Sequence, residues 1–296
     1  MMENIITFNR DNCKKCGLCA EVCPNKIMVK DQSNGMTFRS DRVHLCFKCG
    51  QCMSICPTES INIKGLSYTK DFFDLPEAES YEKNFFNMLY TRRAIRNFQD
   101  KPVPKDILEK IVQAISFAPP GFPPLKTEII VVQNSETIRK ALPYMVELYD
   151  SLLKAMGRPM IRFFIKREVG KQKFRTMETH LIPLLKSRLP ELKKGTEDTI
   201  TRYAPAMILF HADRNGEDIK EDIFVAATYG FLAAHALGLG GSVMDIIPPA
   251  IERKAELRSL FFIPDHHEVV AAIILGYPKY KYQRGIMREL KSVKWL

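Results

Sequence analysis

The cysteines restrict what this chain can fold into more than any other feature, because they form two copies of one spaced motif. The segment CKKCGLCAEVCP, from Cys13 to Pro24, is repeated 33 positions later as CFKCGQCMSICP, from Cys46 to Pro57. All eight cysteines of the chain belong to these two copies. No cysteine is therefore left over as a core residue, a lone nucleophile or half of a disulfide bond.

Each copy reads CxxCxxCxxxCP, a spacing that suits a four-iron cluster. Three thiolates on one tight loop can reach three irons of the same cluster, while in bacterial runs of this kind the fourth cysteine ligates the other cluster. Gly17 and Gly50 stand between the second and third cysteines, where the backbone must pass close to the sulfurs. The module resembles two-cluster bacterial ferredoxins at all eight ligand positions. The resemblance implies two [4Fe–4S] clusters with exchanged fourth ligands: Cys13, Cys16, Cys19 and Cys56 for the first, and Cys46, Cys49, Cys52 and Cys23 for the second.

Zinc and disulfide bonds are the alternative uses of these cysteines. Zinc needs four ligands for each ion and does not require a third CxxC step or the cysteine–proline pair. Disulfide frameworks are typical of short secreted chains, whereas the N-terminus, MMENIITFNRDNC, has no apolar signal region. We therefore expect iron–sulfur clusters in a cytoplasmic protein.

The charge and the apolar runs bear on two classes of partner. Lys and Arg exceed Asp and Glu by 44 to 34, but the sequence has no run of five like charges and no recognisable nucleic-acid-binding module. The longest apolar stretches, such as VVAAIIL from Val269, are far too short to span a bilayer. We expect neither a nucleic acid nor a membrane as a partner.

The chain divides by texture into a cysteine module at 1–65, a mixed and acidic linker at 66–83, and a larger module at 84–296. In the larger module, VPKDILEKIVQAISFA has helical periodicity, and EDIFVAATYGFLAAHALG is typical of a buried helix that ends near Gly238. The runs TEIIVVQ, APAMILFHA and HEVVAAIILGY are typical of buried strands. This interleaving predicts a sheet covered by helices.

The segment TRRAIRNF carries the clearest binding chemistry of the larger module. Arg92, Arg93 and Arg96 place three multi-donor cations within five residues, which suits a phosphate or the edge of a flavin ring. Taken alone, the same cluster is more typical of a solvated basic face.

The order of four landmarks favours the binding interpretation. TRRAIRNF is followed by APPGFPPLKTEIIVV, AAHALGLGGSVMD and HHEVVAAIILGYPKYKYQR, and this order resembles the nitroreductase family of flavoproteins, above all its members with a two-cluster ferredoxin domain in front. The resemblance implies an α+β chain in which a ferredoxin-like domain precedes a nitroreductase-type α/β FMN-binding domain, whose central mixed sheet is covered by helices. It also implies a homodimer with FMN at the subunit interface.

The resemblance further implies which residues contact FMN. The three arginines would contact the flavin phosphate, ribityl chain or pyrimidine edge, the loop at 243–246 would run beside the ring, and the C-terminal tail would lie across the partner subunit, anchored by Trp295. The implied FMN residues are Arg92, Arg93, Ala94, Arg96, Pro119, Pro120, Gly121, Gly241, Met244, Asp245, Arg284 and Arg288.

Two positions depart from the family pattern. Ala94 stands where the family usually has serine, so one hydroxyl hydrogen bond is missing. In APPGFPPLK, the residues Pro120, Pro123 and Leu125 replace the usual polar side chains. Backbone groups at 119–121 are expected to take over those contacts, in a loop stiffened by its prolines.

Together the two modules predict an iron–sulfur flavoprotein oxidoreductase. Electrons would pass from an external ferredoxin or other donor through the clusters to FMN, and on to a small electrophile such as a nitroaromatic or a quinone. One alternative is that NAD(P)H reduces FMN and the clusters carry electrons outward. Another is a subunit without a small substrate that transfers electrons or senses redox state.

Overall fold

The computed structural model describes residues 5–31, 35–46, 48–75, 85–121 and 125–296. The chain forms two compact units: Met1–Thr91 together with Tyr280–Leu296, and Arg92–Lys279. The sequence predicts a larger domain at 84–296, whereas the compact units group Tyr280–Leu296 with the N-terminal residues. Residues 76–84, most of them in the predicted linker, lie outside the described residues. In the described part of the chain, no helix is both long and apolar enough to cross a membrane.

The unit that contains the N-terminus is built from short elements joined by tight loops. Its strands pair antiparallel in three two-stranded sheets, β1 with β4, β2 with β3, and β5 with β10. The strands are β1 (Ile6–Phe8), β2 (Met28–Asp31), β3 (Gly35–Phe38), β4 (Ile61–Ile63), β5 (Phe72–Asp74) and β10 (Arg284–Ile286). The helices are α1 (Leu18–Val22), α2 (Gln51–Ile55), α3 (Tyr68–Asp71) and α4 (Phe85–Thr91), with a 3-10 helix at Ser40–Leu45.

The cysteine repeat is also a repeat of backbone conformation. Helices α1 and α2 follow Gly17 and Gly50, which have φ angles of 83° and 75°. Two further pairs of left-handed residues are related by the same 33 positions: Lys15 with Lys48, and Lys26 with Glu59. Such conformations are costly outside glycine, so their duplication indicates that both loops are shaped for the same task.

The other unit has one four-stranded sheet between two layers of helices. The sheet order is β6-β7-β9-β8, with all three pairings antiparallel. The strands are β6 (Glu128–Val132), β7 (Ala206–Asp213), β8 (Gly240–Val243) and β9 (His267–Gly276). The helices are α5 (Lys105–Ser116), α6 (Ser135–Met156), α7 (Pro159–Val169), α8 (Lys171–Thr176), α9 (Ile182–Lys194), α10 (Ile219–Ala236), α11 (Ile247–Arg253) and α12 (Ala255–Leu260), with a π-helical turn at Met177–Leu181 before α9.

Burial on both faces explains why the central strands are apolar throughout. Along β7, Ile208 and Phe210 pack with α5 and α10, while Met207 and Leu209 pack with α6, α9 and α11 on the opposite face. Successive side chains of a strand point to opposite faces, so a strand covered on both sides needs apolar residues at every position. The predicted strands and the sheet covered by helices are confirmed. A parallel bridge between Ala94 and Gly241 at the edge of β8 gives the sheet its mixed character.

The repeated loops allow a matched test of backbone strain. Changing Gly17 to alanine adds only the cost of a left-handed residue, about 1–2 kcal/mol, since no described atom beyond its chain neighbours lies within 4 Å of the new Cβ. At Gly50 the new Cβ would also lie 3.2 Å from the ring of buried Phe72. We expect Gly50→Ala to lower the denaturation midpoint of this unit more than Gly17→Ala, as followed by circular dichroism. Equal losses would mean that the Phe72 ring relaxes freely.

Candidate functional site

The structure brings the cysteines together in two sets. Burial, and then the neighbouring thiols of Cys56, Cys16 and Cys13, raise the pKa of Cys19 to about 12. Although Cys56 lies 37 positions after Cys19 in the sequence, it is the thiol with the largest effect on it. These four residues are the predicted ligands of the first cluster.

The second set surrounds a small apolar cavity. Burial raises the pKa of Cys52 well above its ordinary value, and the nearby Cys49 and Cys23 raise it further. The cavity has few polar atoms in its wall. Its lining consists of Ile6, Cys23, Pro24, Asn25, Ile27, Met28, Cys46, Cys49, Cys52 and Ile63. All four predicted ligands of the second cluster therefore face one space.

The sulfur geometry suits a four-iron cluster better than zinc. A zinc ion bound to thiolates at about 2.3 Å would hold its sulfurs about 3.8 Å apart. Among the residues that the structure describes, no three cysteine sulfurs lie within 4.8 Å of one another. This spacing is wider than one zinc ion would impose, and at the second set the sulfurs surround the apolar cavity.

Backbone amides point at the sulfurs at repeated positions. The N–H of Ile27 donates to Cys23 Sγ at 3.3 Å, and the N–H of Ser60 donates to Cys56 Sγ at the same distance. The N–H of Lys15 donates to Cys13 Sγ at 3.4 Å. Such donors stabilise negative charge on a metal-bound sulfur, so the loops fit the group that the spacing predicts.

Arg284 lies in this unit, on strand β10. Its guanidinium donates to the carbonyl oxygen of Cys56, pairs with Glu59 at 3.0 Å and lies 5.4 Å from the centre of the Tyr68 ring. These contacts hold the guanidinium within the unit, and its contact with FMN stays a prediction. Arg288 lies exposed in the tail beyond it, and Trp295 is 93% exposed.

In the other unit, the arginine segment lies along the edge of β8. The N–H of Ile95 donates to the carbonyl oxygen of Gly241 at 2.7 Å, next to the bridge formed by Ala94. A Cβ on Gly240 would lie 2.5 Å from the Ile95 side chain, and one on Gly241 would lie 2.7 Å from a sheet carbonyl. The two glycines therefore permit this close approach, and Gly241 serves to position the arginines.

Positive charge is concentrated around the start of that segment. Arg93 is buried, and the Arg92 guanidinium lies 5.1 Å from the centre of the Phe231 ring. Burial, and then the charges of Arg92 and Arg93, lower the pKa of His235 to about 4. The histidine is therefore neutral at pH 7, and the arginines supply a positive field that suits an anion.

Arg96 belongs to a second group of cations, two of which the sequence did not point to. Burial, and then Arg96 and Arg188, lower the pKa of Arg202 to about 10, while Asp198 and Glu197 oppose that shift. Arg188 is 2% exposed and pairs with Glu197 at 3.2 Å. Arg188 and Arg202 lie about a hundred residues from TRRAIRNF, in segments without a motif, so no sequence signal connected them with it.

Among the remaining predicted FMN residues, Gly121 and Met244 use their backbone amides within the fold. The N–H of Gly121 donates to the Asp222 carboxylate at 2.7 Å, and the N–H of Met244 donates to the sheet carbonyl of Ala272 at 2.9 Å. Pro119 and Pro120 carry no N–H to offer. The exposed Asp245 lies two residues after the end of β8. Residues 122–124, including Pro123, lie outside the described residues.

Comparison with known proteins identifies both parts of the chain. Residues 89–277 match the nitroreductase family, and residues 12–61 match a 4Fe-4S dicluster domain. A protein of Methanothermobacter thermautotrophicus, provisionally named NADH dehydrogenase/NAD(P)H nitroreductase, is 28% identical over 192 residues, which cover 64% of this chain and 74% of that protein. A protein of Archaeoglobus fulgidus with the same provisional name is 28% identical over 197 residues, covering 65% and 84%.

Solved structures share the fold. An FMN-dependent nitroreductase from Clostridium difficile R20291 matches with a TM-score of 0.52 at 15% identity, over 72% of this chain and all of that one. A nitroreductase with bound FMN from Desulfitobacterium hafniense matches with a TM-score of 0.50 at 17% identity, over 71% of this chain and 96% of that one.

The lowered pKa of His235 predicts a loss of stability in acid. The folded chain holds this pKa at about 4, whereas an unfolded histidine titrates near pH 6.5. As the pH falls below 6.5, the unfolded state binds a proton that the folded state does not, so the free energy of unfolding decreases until about pH 4. Denaturation followed by circular dichroism should show this slope in the wild type and a flatter one in His235→Gln. The exposed His180 supplies the control, since His180→Gln should keep the wild-type slope; an unchanged slope in His235→Gln would contradict the assignment.

Proposed function

The chain belongs to the nitroreductase family, and we propose that it is an FMN-dependent oxidoreductase whose electrons enter through two [4Fe–4S] clusters. The electrons leave from FMN to a small electrophile such as a nitroaromatic or a quinone. One observation carries this proposal: a dicluster domain at 12–61 and a nitroreductase domain at 89–277 occupy the same polypeptide. A dedicated electron inlet fused to a flavin domain supports the direction from clusters to FMN.

The cysteines hold the clusters in the exchanged arrangement. Cys13, Cys16, Cys19 and Cys56 are proposed for the first cluster, and Cys46, Cys49, Cys52 and Cys23 for the second. The two sets are supported by the neighbouring thiols that raise the pKa values of Cys19 and Cys52. The amide donors of Lys15, Ile27 and Ser60 stabilise the negative charge of the sulfurs.

The arginines hold FMN. Arg92 and Arg93 supply the positive field beside His235, and Arg96 extends it toward Arg202. These cations suit a phosphate or the pyrimidine edge of a flavin, while Ala94 contributes no hydroxyl. When bound, the clusters exchange single electrons and FMN couples one-electron to two-electron chemistry. The protein orients the acceptor and stabilises developing negative charge, and no side chain need act as a nucleophile.

Homodimerisation is part of this proposal. Two large aromatic side chains of helix α10 are exposed to solvent: Phe224 is 52% exposed and Tyr229 is 39% exposed. The tail also exposes Leu290 and Trp295. Exposed apolar patches on a soluble domain mark interaction surfaces, which supports a second copy of the chain as the partner, with Arg288 and the tail in reach of its flavin.

A second candidate direction of flow has its own support. The relatives from Methanothermobacter thermautotrophicus and Archaeoglobus fulgidus carry names that include NAD(P)H nitroreductase. If this chain also takes hydride from NAD(P)H, FMN is reduced directly and the clusters deliver electrons outward.

Anaerobic rapid mixing distinguishes the two directions. Reduced bacterial ferredoxin should bleach the flavin absorbance of the wild type quickly, while NADPH and NADH should do so slowly. The variant Cys16→Ser/Cys49→Ser should lose the fast phase because each change removes one ligand from a different cluster. Fast bleaching by NADPH that persists in this variant would reverse the assigned direction.

The exchanged ligation is tested by pairing cysteine substitutions. If Cys56 and Cys16 bind the same cluster, Cys56→Ser/Cys16→Ser should keep about four of about eight irons for each chain. Cys56→Ser/Cys49→Ser should lose nearly all of them, because it damages both clusters. Iron and sulfide analysis of the two anaerobically purified variants checks this, and the opposite pattern would mean that each motif holds its own cluster.

The role of Arg93 is tested by flavin binding. Removing a charged donor to a phosphate or ring oxygen costs about 1.5–3 kcal/mol, so Arg93→Gln should weaken FMN binding by roughly 10- to 100-fold. Fluorescence titration of the flavin-stripped protein measures this. Exposed Arg139 on α6 provides the matched control, and Arg139→Gln should bind FMN like the wild type. Equal affinities for all three proteins would exclude Arg93 from the site.

A further inference from the structure

Strand β10 is joined by hydrogen bonds to helix α2, which carries one cluster ligand, Cys52, and is followed by another, Cys56. Strand β10 pairs with β5, and the carbonyl oxygen of Arg284 accepts a hydrogen bond from Ser54 Oγ. The N–H of Gln283 donates to the carbonyl oxygen of Ser54 at 3.3 Å, and Tyr282 Oη donates to Gln51 Oε1 at 3.1 Å. Helix α2, which carries Ser54 and Gln51, also carries Cys52 and leads directly into Cys56. The C-terminal strand is thus an integral part of the iron–sulfur unit.

This attachment places a cation at one particular ligand. The Arg284 guanidinium donates to the carbonyl oxygen of Cys56 and pairs with Glu59 at 3.0 Å. The arginine side chain is 15% exposed, whereas the Glu59 side chain is 50% exposed. Water screens the more exposed charge more strongly, so the pair leaves a net positive influence at Cys56.

Tyr68 adds a second polar group at the same place. Its ring lies under the Arg284 guanidinium, 5.4 Å from centroid to carbon. Its hydroxyl oxygen is buried, and the hydroxyl hydrogen has no acceptor in the described part of the chain. Cys56 and Cys52 are the thiols that act on this hydroxyl electrostatically. A buried donor of this kind requires an acceptor, and Cys56, whose thiol acts on this hydroxyl more strongly than that of Cys52, or a sulfide of its cluster would supply one.

The repeat makes this environment different for the two clusters. Cys23 stands 33 positions before Cys56, and within the described residues its carbonyl oxygen accepts a backbone hydrogen bond, from the N–H of Lys26 at 3.1 Å. At Cys56 the acceptor faces a guanidinium instead. The two motifs are equivalent in sequence, but the C-terminal strand contacts one of them.

We propose that Arg284 and Tyr68 are positioning residues that raise the reduction potential of the cluster ligated by Cys56. This inference rests on the proposed function, because it requires the two clusters to be present. Reduction adds negative charge to a cluster, and a nearby cation or a hydrogen bond to sulfur stabilises the reduced form. The cluster ligated by Cys56 is therefore the one on which an incoming electron is held more strongly than its motif alone would provide.

Redox titration of the complete protein, followed by electron paramagnetic resonance, tests the proposal. Arg284→Gln should lower the potential of one cluster more than that of the other, and Tyr68→Phe should lower it without any change of charge. Glu59→Gln should raise the same potential, because it removes the compensating anion. A tenfold change in the one-electron equilibrium corresponds to about 59 mV, and a shift of at least threefold is expected for Arg284→Gln.

The controls separate electrostatics from damage to the fold. Lys281→Gln removes one positive charge from an exposed position three residues before Arg284, and it should leave both potentials unchanged. A loosened strand would not move Arg284→Gln and Glu59→Gln in opposite directions. Unchanged potentials in Arg284→Gln and Tyr68→Phe, or the same shift in Lys281→Gln, would overturn the inference. A wild-type protein without two clusters, as shown by its iron and sulfide content, would instead overturn the proposed function.

Discussion

The first unit is shaped by the grouping of four thiols at each of two sites, where Cys19, Cys23, Cys52 and Cys56 are buried. Burial and mutual repulsion raise the pKa of Cys19 to about 12, so these groups cannot ionise together without cations among them. Bound iron would remove that cost and convert the crowding into binding energy. The duplicated left-handed loops, the sulfur-directed amides and the short strands follow from the same requirement, since each helps to hold a sulfur in a fixed direction.

The second unit groups positive charges in the way that the first unit groups thiols. Arg92, Arg93 and Arg96 lie on one extended segment because Gly240 and Gly241 let that segment pack directly on the edge of β8. Burial, and then the charges of Arg92 and Arg93, keep His235 neutral at pH 7. Arg96 and Arg188 act in the same way on the buried Arg202, whose pKa they lower. The first unit therefore brings together thiols that would bind iron as thiolates. The second unit brings together arginines that would bind the anionic phosphate of FMN. These arginines of the second unit are part of the formal excess of positive charge in the sequence.

Several features followed from sequence periodicity and spacing. The strands β6, β7 and β9 were visible as short apolar runs, since a strand buried on both faces requires an apolar residue at every position. Helix α5 was visible through its helical period, and its buried residues Leu108, Ile111 and Ile115 recur at that period. The family and the dicluster domain were also correctly identified. In contrast, no local pattern could show that Gly121 and Met244 use their amides within the fold, because those partners lie far away in the sequence.

Cysteine spacing and the order of the arginine and glycine landmarks are local properties of the chain, so the iron–sulfur and flavin chemistries could be inferred before the fold was known. The fold was needed to show which unit the C-terminus joins and which groups Arg284 contacts. Its pairing with Glu59 and Cys56 spans more than 220 residues, and a contact of that range depends on how β10 meets β5 rather than on any neighbouring residue. For the same reason the buried arginines Arg188 and Arg202 became visible only in the folded chain, where burial and proximity give an ordinary residue type its electrostatic effect.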